Sequence, residues 1–367
     1  MLEYIVLYVL LGCLSLVGSF ADDSQKETIR KIQNRICFVA VFILLACRHQ
    51  SMGIDLHWKA TREDIGYLPY FDWAVKTLYK SFGEYLRSSS VYSYEVGFRI
   101  YVRLIARITS SRQLFMAITA FISLFPIAVL FEKKSREPVF SWVIYLSLSP
   151  FLLLYSGLRQ GIAIGIAALM FLLAEKKRCI QFLLAGMLAF SLHESAVLLV
   201  LIYPLMHLRA GKTLRAISVV ALAVLFVFIR RIVAFMVEVF PQYAYMFRGE
   251  ETGAYRFFIV LVIIYVICAM GTDGGELQNA YMNLLYLACV FQLFGVVSNV
   301  APRAGFYFMN ALCILLPDVT ERIKVKDNSA LLRLGTAVCF ALWGLYSIYD
   351  TGWAMAYPYY WFWEPFV

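Results

Sequence analysis

Arg159 and Gln160 stand in SGLRQGIAIG, residues 156–165, where a long apolar run ought to continue undisturbed. A cation there needs a partner: an arginine at mid-bilayer costs on the order of 3 kcal/mol even on the lenient insertion scale, and less near the interface. The partner is either an internal carboxylate or a phosphate group on a lipid-borne substrate, which a planar guanidinium grips through paired hydrogen bonds that lysine cannot copy. Other polar residues occupy comparable places. Arg303 follows Pro302 in APRAGFYF, and His193 and Glu194 form the turn of SLHESA. His193 is either a hydrogen-bonded interface residue or a base, since the ordinary pKa of histidine lies nearest neutrality. CRHQSMGID places Arg48 ahead of Asp55, an acid that follows a glycine able to turn tightly. The pair reads either as a snorkelling arginine and a helix cap or as an anion clamp with a nearby carboxylate. Glu95, in YEVGF, is either an N-terminal helix charge or a site residue. His49, Asp55 and His57 match no standard ligand spacing, so no metal is expected.

Something must position these residues, and composition says what. Of 367 residues, 62% are hydrophobic and 16% charged, more apolar side chain than a soluble core of this length needs. The apolar stretches run roughly 15 to 20 residues, close to the ~20 of a helical span, without the alternation of a barrel strand. The predicted fold class is all-α: a polytopic membrane protein of about twelve transmembrane helices, one integral membrane domain over 1–367. The helices are placed at 2–20, 36–47, 112–131, 139–156, 160–174, 180–192, 195–207, 215–230, 255–271, 280–298, 303–317 and 331–349. The first lacks a basic leader and is read as a retained helix.

The net charge of +9 does not point to nucleic acid, because the basic residues lie mostly between spans. Lys26 to Arg35, Lys133 to Arg136, Lys176 to Arg178, Arg209 to Arg215 and Arg322 to Arg333 all fall in alternate loops, which the positive-inside rule makes cytoplasmic. Both termini are then expected outside. The opposite loops carry Arg159 and Arg303 and include the longest polar stretch, 48–111, the main extracytoplasmic loop. Within it Arg99, Arg103 and Arg107 recur every fourth residue, which predicts an interfacial helix with its arginines toward water or an anionic ligand. Gly157, Gly161 and Gly165 predict a seam where another helix approaches closely. The aromatic tail WAMAYPYYWFWEPFV is an interface belt or a stacking floor for sugar rings. All eight cysteines read as small core residues, and there is no phosphate loop and no dinucleotide fingerprint.

The order CRHQSMGID, YEVGF, SGLRQGIAIGI, SLHESA, APRAGFYF and a late YPYY resembles the EpsG family, one branch of the Wzy-type polysaccharide polymerases, over nearly the whole chain. The resemblance implies a GT-C-like enzyme at the outer, periplasmic face of the bacterial cytoplasmic (inner) membrane. Such an enzyme joins oligosaccharide repeat units carried on polyprenyl diphosphate, as in O-antigen and exopolysaccharide biosynthesis. The growing glycan passes to the non-reducing end of the next unit. The implied partners are the lipid-linked donor and acceptor and the bilayer, with a separate chain-length regulator left open. No cofactor, nucleotide sugar, catalytic metal or nucleic acid is implied. Arg48, Asp55, Glu95, Arg159, Gln160, His193 and Arg303 occupy the motif positions. Arg159, Arg303 and Arg48, with Gln160, would hold the diphosphate; His193 is the first candidate base, with Asp55 and Glu95 next. The chain departs from the family pattern in RHQSMGID and in its dense arginine stripe.

Three rivals use similar chemistry. A flippase or transporter of the same units would need charges at mid-span, whereas these arginines gather at one face. An O-antigen ligase-like transferase would use the same donor with another acceptor. A membrane acyltransferase would rest on His193, around which no matching active-site pattern stands.

Overall fold

A backbone buried in lipid or in protein must bond to itself, so the apolar runs of this chain have helices as their outlet. The computed structural model describes residues 1–19, 24–56, 66–241, 254–272, 274–298, 300–322, 329–350 and 352–365. Among them no strand forms. The α-helices are α1 Leu2–Ser19, α2 Lys26–Ala46, α3 Tyr67–Lys76, α4 Phe82–Ser88, α5 Val96–Ile108, α6 Arg112–Lys134, α7 Pro138–Leu146, α8 Ser149–Ser156 and α9 Leu158–Glu175. They continue with α10 Cys179–Leu192, α11 Ile202–His207, α12 Lys212–Val239, α13 Ala254–Gly271, α14 Glu276–Leu293, α15 Asn310–Arg322 and α16 Ser329–Asp350.

Each of the twelve anticipated segments contains helix, but the count of twelve full spans is not reproduced. Among the described residues five helices are long and apolar enough to cross a membrane, six if α7 and α8 make one span. This is a multi-pass membrane protein with several interrupted elements. The expected helix 139–156 breaks between α7 and α8, which meet at 62°. Segments 195–207 and 303–317 both begin as 3-10 turns, Glu194–Leu201 and Ala301–Phe308. α10 has 14 residues and so reaches only about 21 Å at 1.5 Å per residue, short of a ~30 Å hydrocarbon core.

The most enclosed span is α9, 78% buried, whereas α12 and α16 are each 17% buried and present apolar faces outward. The glycine seam explains part of that enclosure. A Cβ on Gly165 would lie 2.6 Å from the Ser123 carbonyl of α6, so only glycine lets the two backbones meet there. Gly161 also faces Ser123, but Gly157 meets only Leu153 of the preceding helix, so the seam holds at two of its three positions. The far ends of these helices are tied by ion pairs: Lys134 with Glu175, Arg136 with Asp318 at 2.7 Å, Arg322 with Asp318 at 3.1 Å and Arg30 with Glu137 at 3.3 Å. All four cations belong to the set assigned to the cytoplasm; Lys324 and Lys326 lie outside the described residues.

The arginine stripe faces water fully only at Arg107. Arg103 is 1% exposed, and its guanidinium donates to the carbonyls of Ala74, Thr77, Leu78 and Lys80 at 2.8 to 3.3 Å. Those carbonyls belong to the last turn of α3 and the residues just after it, where a cation also meets the negative pole of the helix. Arg99 likewise donates to Leu86 O at 2.8 Å, and only Arg107 is exposed. The stripe is a strut that fixes α3 and α4 against α5. The cysteines are also mixed: Cys13, Cys179 and Cys339 are exposed instead of buried.

Candidate functional site

Glu95 is the N-cap residue of α5, and α5 must come close to another backbone to bring it into place. A Cβ on Gly97 would stand 2.2 Å from Ser191 Oγ and 2.5 Å from Ser191 O, at the end of α10. The glycine of YEVGF is therefore what lets the first turn of α5 rest on SLHESA. Gly97→Ala should cost about 1 to 3 kcal/mol through that overlap, read as a lowered unfolding temperature of the purified protein. An unchanged unfolding temperature would mean the two segments sit farther apart.

Three motifs meet at the Glu95 carboxylate. Its Oε2 accepts from Arg159 Nη1, and its Oε1 accepts from the backbone N–H of Glu194 at 3.0 Å and lies 3.3 Å from His193 Nδ1. Arg159 also donates from Nε to Tyr67 Oη at 3.2 Å and lies 4.9 Å from the centre of the Tyr94 ring. Arg159, Glu95 and His193 keep 21%, 17% and 20% of their side-chain surface, enough to meet a ligand. Burial pushes the Glu95 carboxyl up, but the His193 hydrogen bond, the Arg159 charge and two backbone N–H groups outweigh it and hold the pKa at about 2. An ionised carboxylate only accepts, so Nδ1 of His193 is the donor in this bond, and in the neutral imidazole Nε2 is then left as the acceptor.

The remaining motifs attach to this centre. Gln160 donates from Nε2 to the Arg303 carbonyl at 2.8 Å, pinning APRAGFYF beside GLRQ. Ser195 of SLHESA and Tyr307 of APRAGFYF share a hydrogen bond of 2.8 Å between their hydroxyls. Arg303 keeps a half-buried side chain on this arrangement. Asp55 accepts from Ser156 Oγ at 2.8 Å, three residues before Arg159. Gly53 makes that possible: its φ is +106°, and a Cβ there would overlap the Tyr155 carbonyl at 1.9 Å.

A family model described as the EpsG family matches residues 28–361. The chain belongs to the EpsG family. EpsG is a Wzy-like polysaccharide polymerase family, associated with glycosyltransferase-like activity. No curated protein and no solved structure matches.

In this EpsG chain Arg48 stands apart from the others, its guanidinium turned to backbone carbonyls. It is 1% exposed; its guanidinium donates to Leu45 O at 3.1 Å and Tyr155 O at 3.3 Å and lies 5.1 Å from the centre of the Tyr155 ring. The C-terminal tail closes over it. His49 N donates to Tyr360 O at 2.8 Å, Phe362 N donates to Cys47 O at 2.9 Å, and Tyr359 Oη donates to Leu44 O at 2.8 Å. The motif arginine is thus a structural post for the tail, and Tyr359 of YPYY is buried in the process.

Sequence reasoning missed Tyr67 and Tyr94, which flank Arg159, and the Ser195 to Tyr307 link. The signal for Tyr94 was present in its position beside Glu95, but Tyr67 lies 92 residues from Arg159 in the chain. Among the described residues no three His, Cys, Asp or Glu side chains gather as metal ligands; His57 lies outside them.

Proposed function

We propose that the protein polymerises polyprenyl-diphosphate-linked repeat units at the outer face of the bacterial cytoplasmic membrane. The convergence of YEVGF, GLRQ, SLHESA and APRAGFYF on one half-buried centre supports this reading more than any single motif does. Arg159 and Arg303, with Gln160 holding the Arg303 backbone, receive the donor diphosphate. A hydroxyl at the non-reducing end of the acceptor unit attacks the donor's anomeric carbon. The carbon–oxygen bond to the diphosphate breaks, and the lipid diphosphate leaves with the bonding electrons. Guanidinium groups meet the charge as it develops on the leaving oxygen. The hydroxyl proton passes to His193 Nε2, whose other nitrogen is held by Glu95, as in a carboxylate–histidine pair. Asp55, bonded to Ser156 and to no cation among the described residues, is the next candidate base in this set.

The size distribution of surface glycan on a gel tests the reading, comparing cells with the gene, without it, and with Arg159→Ala restored. Deletion and variant should both leave glycans of one repeat unit and erase the ladder. Loss of the single-unit form as well, with lipid-linked units accumulating inside, would instead mean that the protein carries its substrate across the membrane.

A further inference from the structure

A cavity of about 460 Å³ opens where α12 and α14 begin, and its lining is unlike the Glu95 centre. It lies at the other end of the bundle: α9 runs away from Arg159, α10 returns to His193, and residues 194–207 run away again. Among the described residues three cations line it, Arg209, Lys212 and Arg215, against one carboxylate, Glu276. Glu276 pairs with Arg209 on the exposed rim, which leaves the interior positive.

Arg215 is the observation that calls for a ligand. Only 6% exposed, it donates to Thr272 Oγ1 and Asn279 Oδ1, both neutral, and its Nε has no acceptor among the described residues. A guanidinium buried without counter-charge is a costly arrangement unless an anion completes it. Two helix starts face the same space. Both α12 and α14 have glycine at the N-cap, Gly211 and Gly275, with no side chain capping the first-turn N–H groups. Helix starts left in that state favour negative charge and bind phosphate. Asp273, between two lining residues, lies outside the described residues.

We infer that this cavity is a phosphate-binding site, taking the head group of an anionic phospholipid or a soluble phosphate. Its position among the basic residues assigned to the cytoplasm suits a head group, since basic pockets between spans on that side recognise anionic lipids. The inference does not rest on the polymerase reading, because no residue of the Glu95 centre takes part.

The test is the unfolding temperature of the full-length protein in neutral detergent at fixed ionic strength, with added phosphatidylglycerol, phosphatidylcholine or inorganic phosphate. Phosphatidylglycerol should raise it by about 3 °C at saturation, and phosphatidylcholine should not. The rise should vanish in Arg215→Gln and in Lys212→Gln. If Arg215→Gln does not fold, the exposed Lys212→Gln decides alone. An equal rise with inorganic phosphate, lost in the same variants, supports the site with a soluble ligand. No rise with either anion, or a rise that survives both substitutions, overturns the inference.

Discussion

Cells carrying Arg159→Lys should make no polysaccharide ladder while the protein accumulates in the membrane at its normal level. Lysine keeps the positive charge, and a single ammonium can still pair with Glu95. It cannot also donate to Tyr67 and lie along the Tyr94 ring, and it has no further N–H fork for a diphosphate. If the arginine stabilises the leaving diphosphate, turnover should fall about 100-fold or more, the usual scale for removing one oriented donor from a developing anion. Fold and insertion should survive, because the side chain is partly open and the charge that Glu95 needs is retained. Chain lengths matching the wild type would remove Arg159 from the chemistry and leave the salt bridge as its whole role.

Glu95→Gln should split the kinetic constants. The carboxylate holds Arg159 in the absence of substrate, so an incoming diphosphate must compete with it; the amide competes far less. Donor KM should therefore fall, by about tenfold if one charged contact is released. kcat should fall much further, about 100-fold to 10,000-fold, because the charge that steadies the protonated imidazole of His193 is gone. A variant that lost affinity for donor would instead make Glu95 part of the binding surface. Acid stability supplies an independent readout. The folded pKa of about 2 lies below the ordinary 4.5, so Glu95 contributes stability that is fully present above pH 4.5 and lost as pH falls toward 2. The shift corresponds to roughly 3 kcal/mol. The difference in unfolding temperature between pH 5 and pH 3 should shrink in Glu95→Gln.

Sequence carried the site further than it carried the span count. Glu95, Arg159 and His193 were each legible because a charged or titratable side chain beside an apolar run has no cheap explanation, and the structure brings them together. Gln160 was legible as polar, but its partner, a backbone carbonyl of Arg303, leaves no trace in side-chain chemistry. The surroundings of Arg48 were hidden for the same reason: the carbonyls it donates to belong to Leu45 and Tyr155 and leave no mark in the sequence. Arg103 misled through periodicity, since a fourfold spacing shows which residues share a face but not what covers that face. The interrupted spans were illegible because apolar 3-10 turns and apolar α-helix have the same composition. Ser147 and Leu148, at the α7 to α8 break, read as an unbroken run.

The housing of Arg48 also sets an order of events during synthesis. One of its acceptors, the Tyr155 carbonyl, is 107 residues downstream, which at cellular elongation rates means roughly 5 to 20 s of translation. The tail that closes over it, bonded from Tyr360 back to His49, emerges later still. A cation made early in this stretch of chain thus waits first for the carbonyl of Tyr155 and then for the cover supplied around Tyr360.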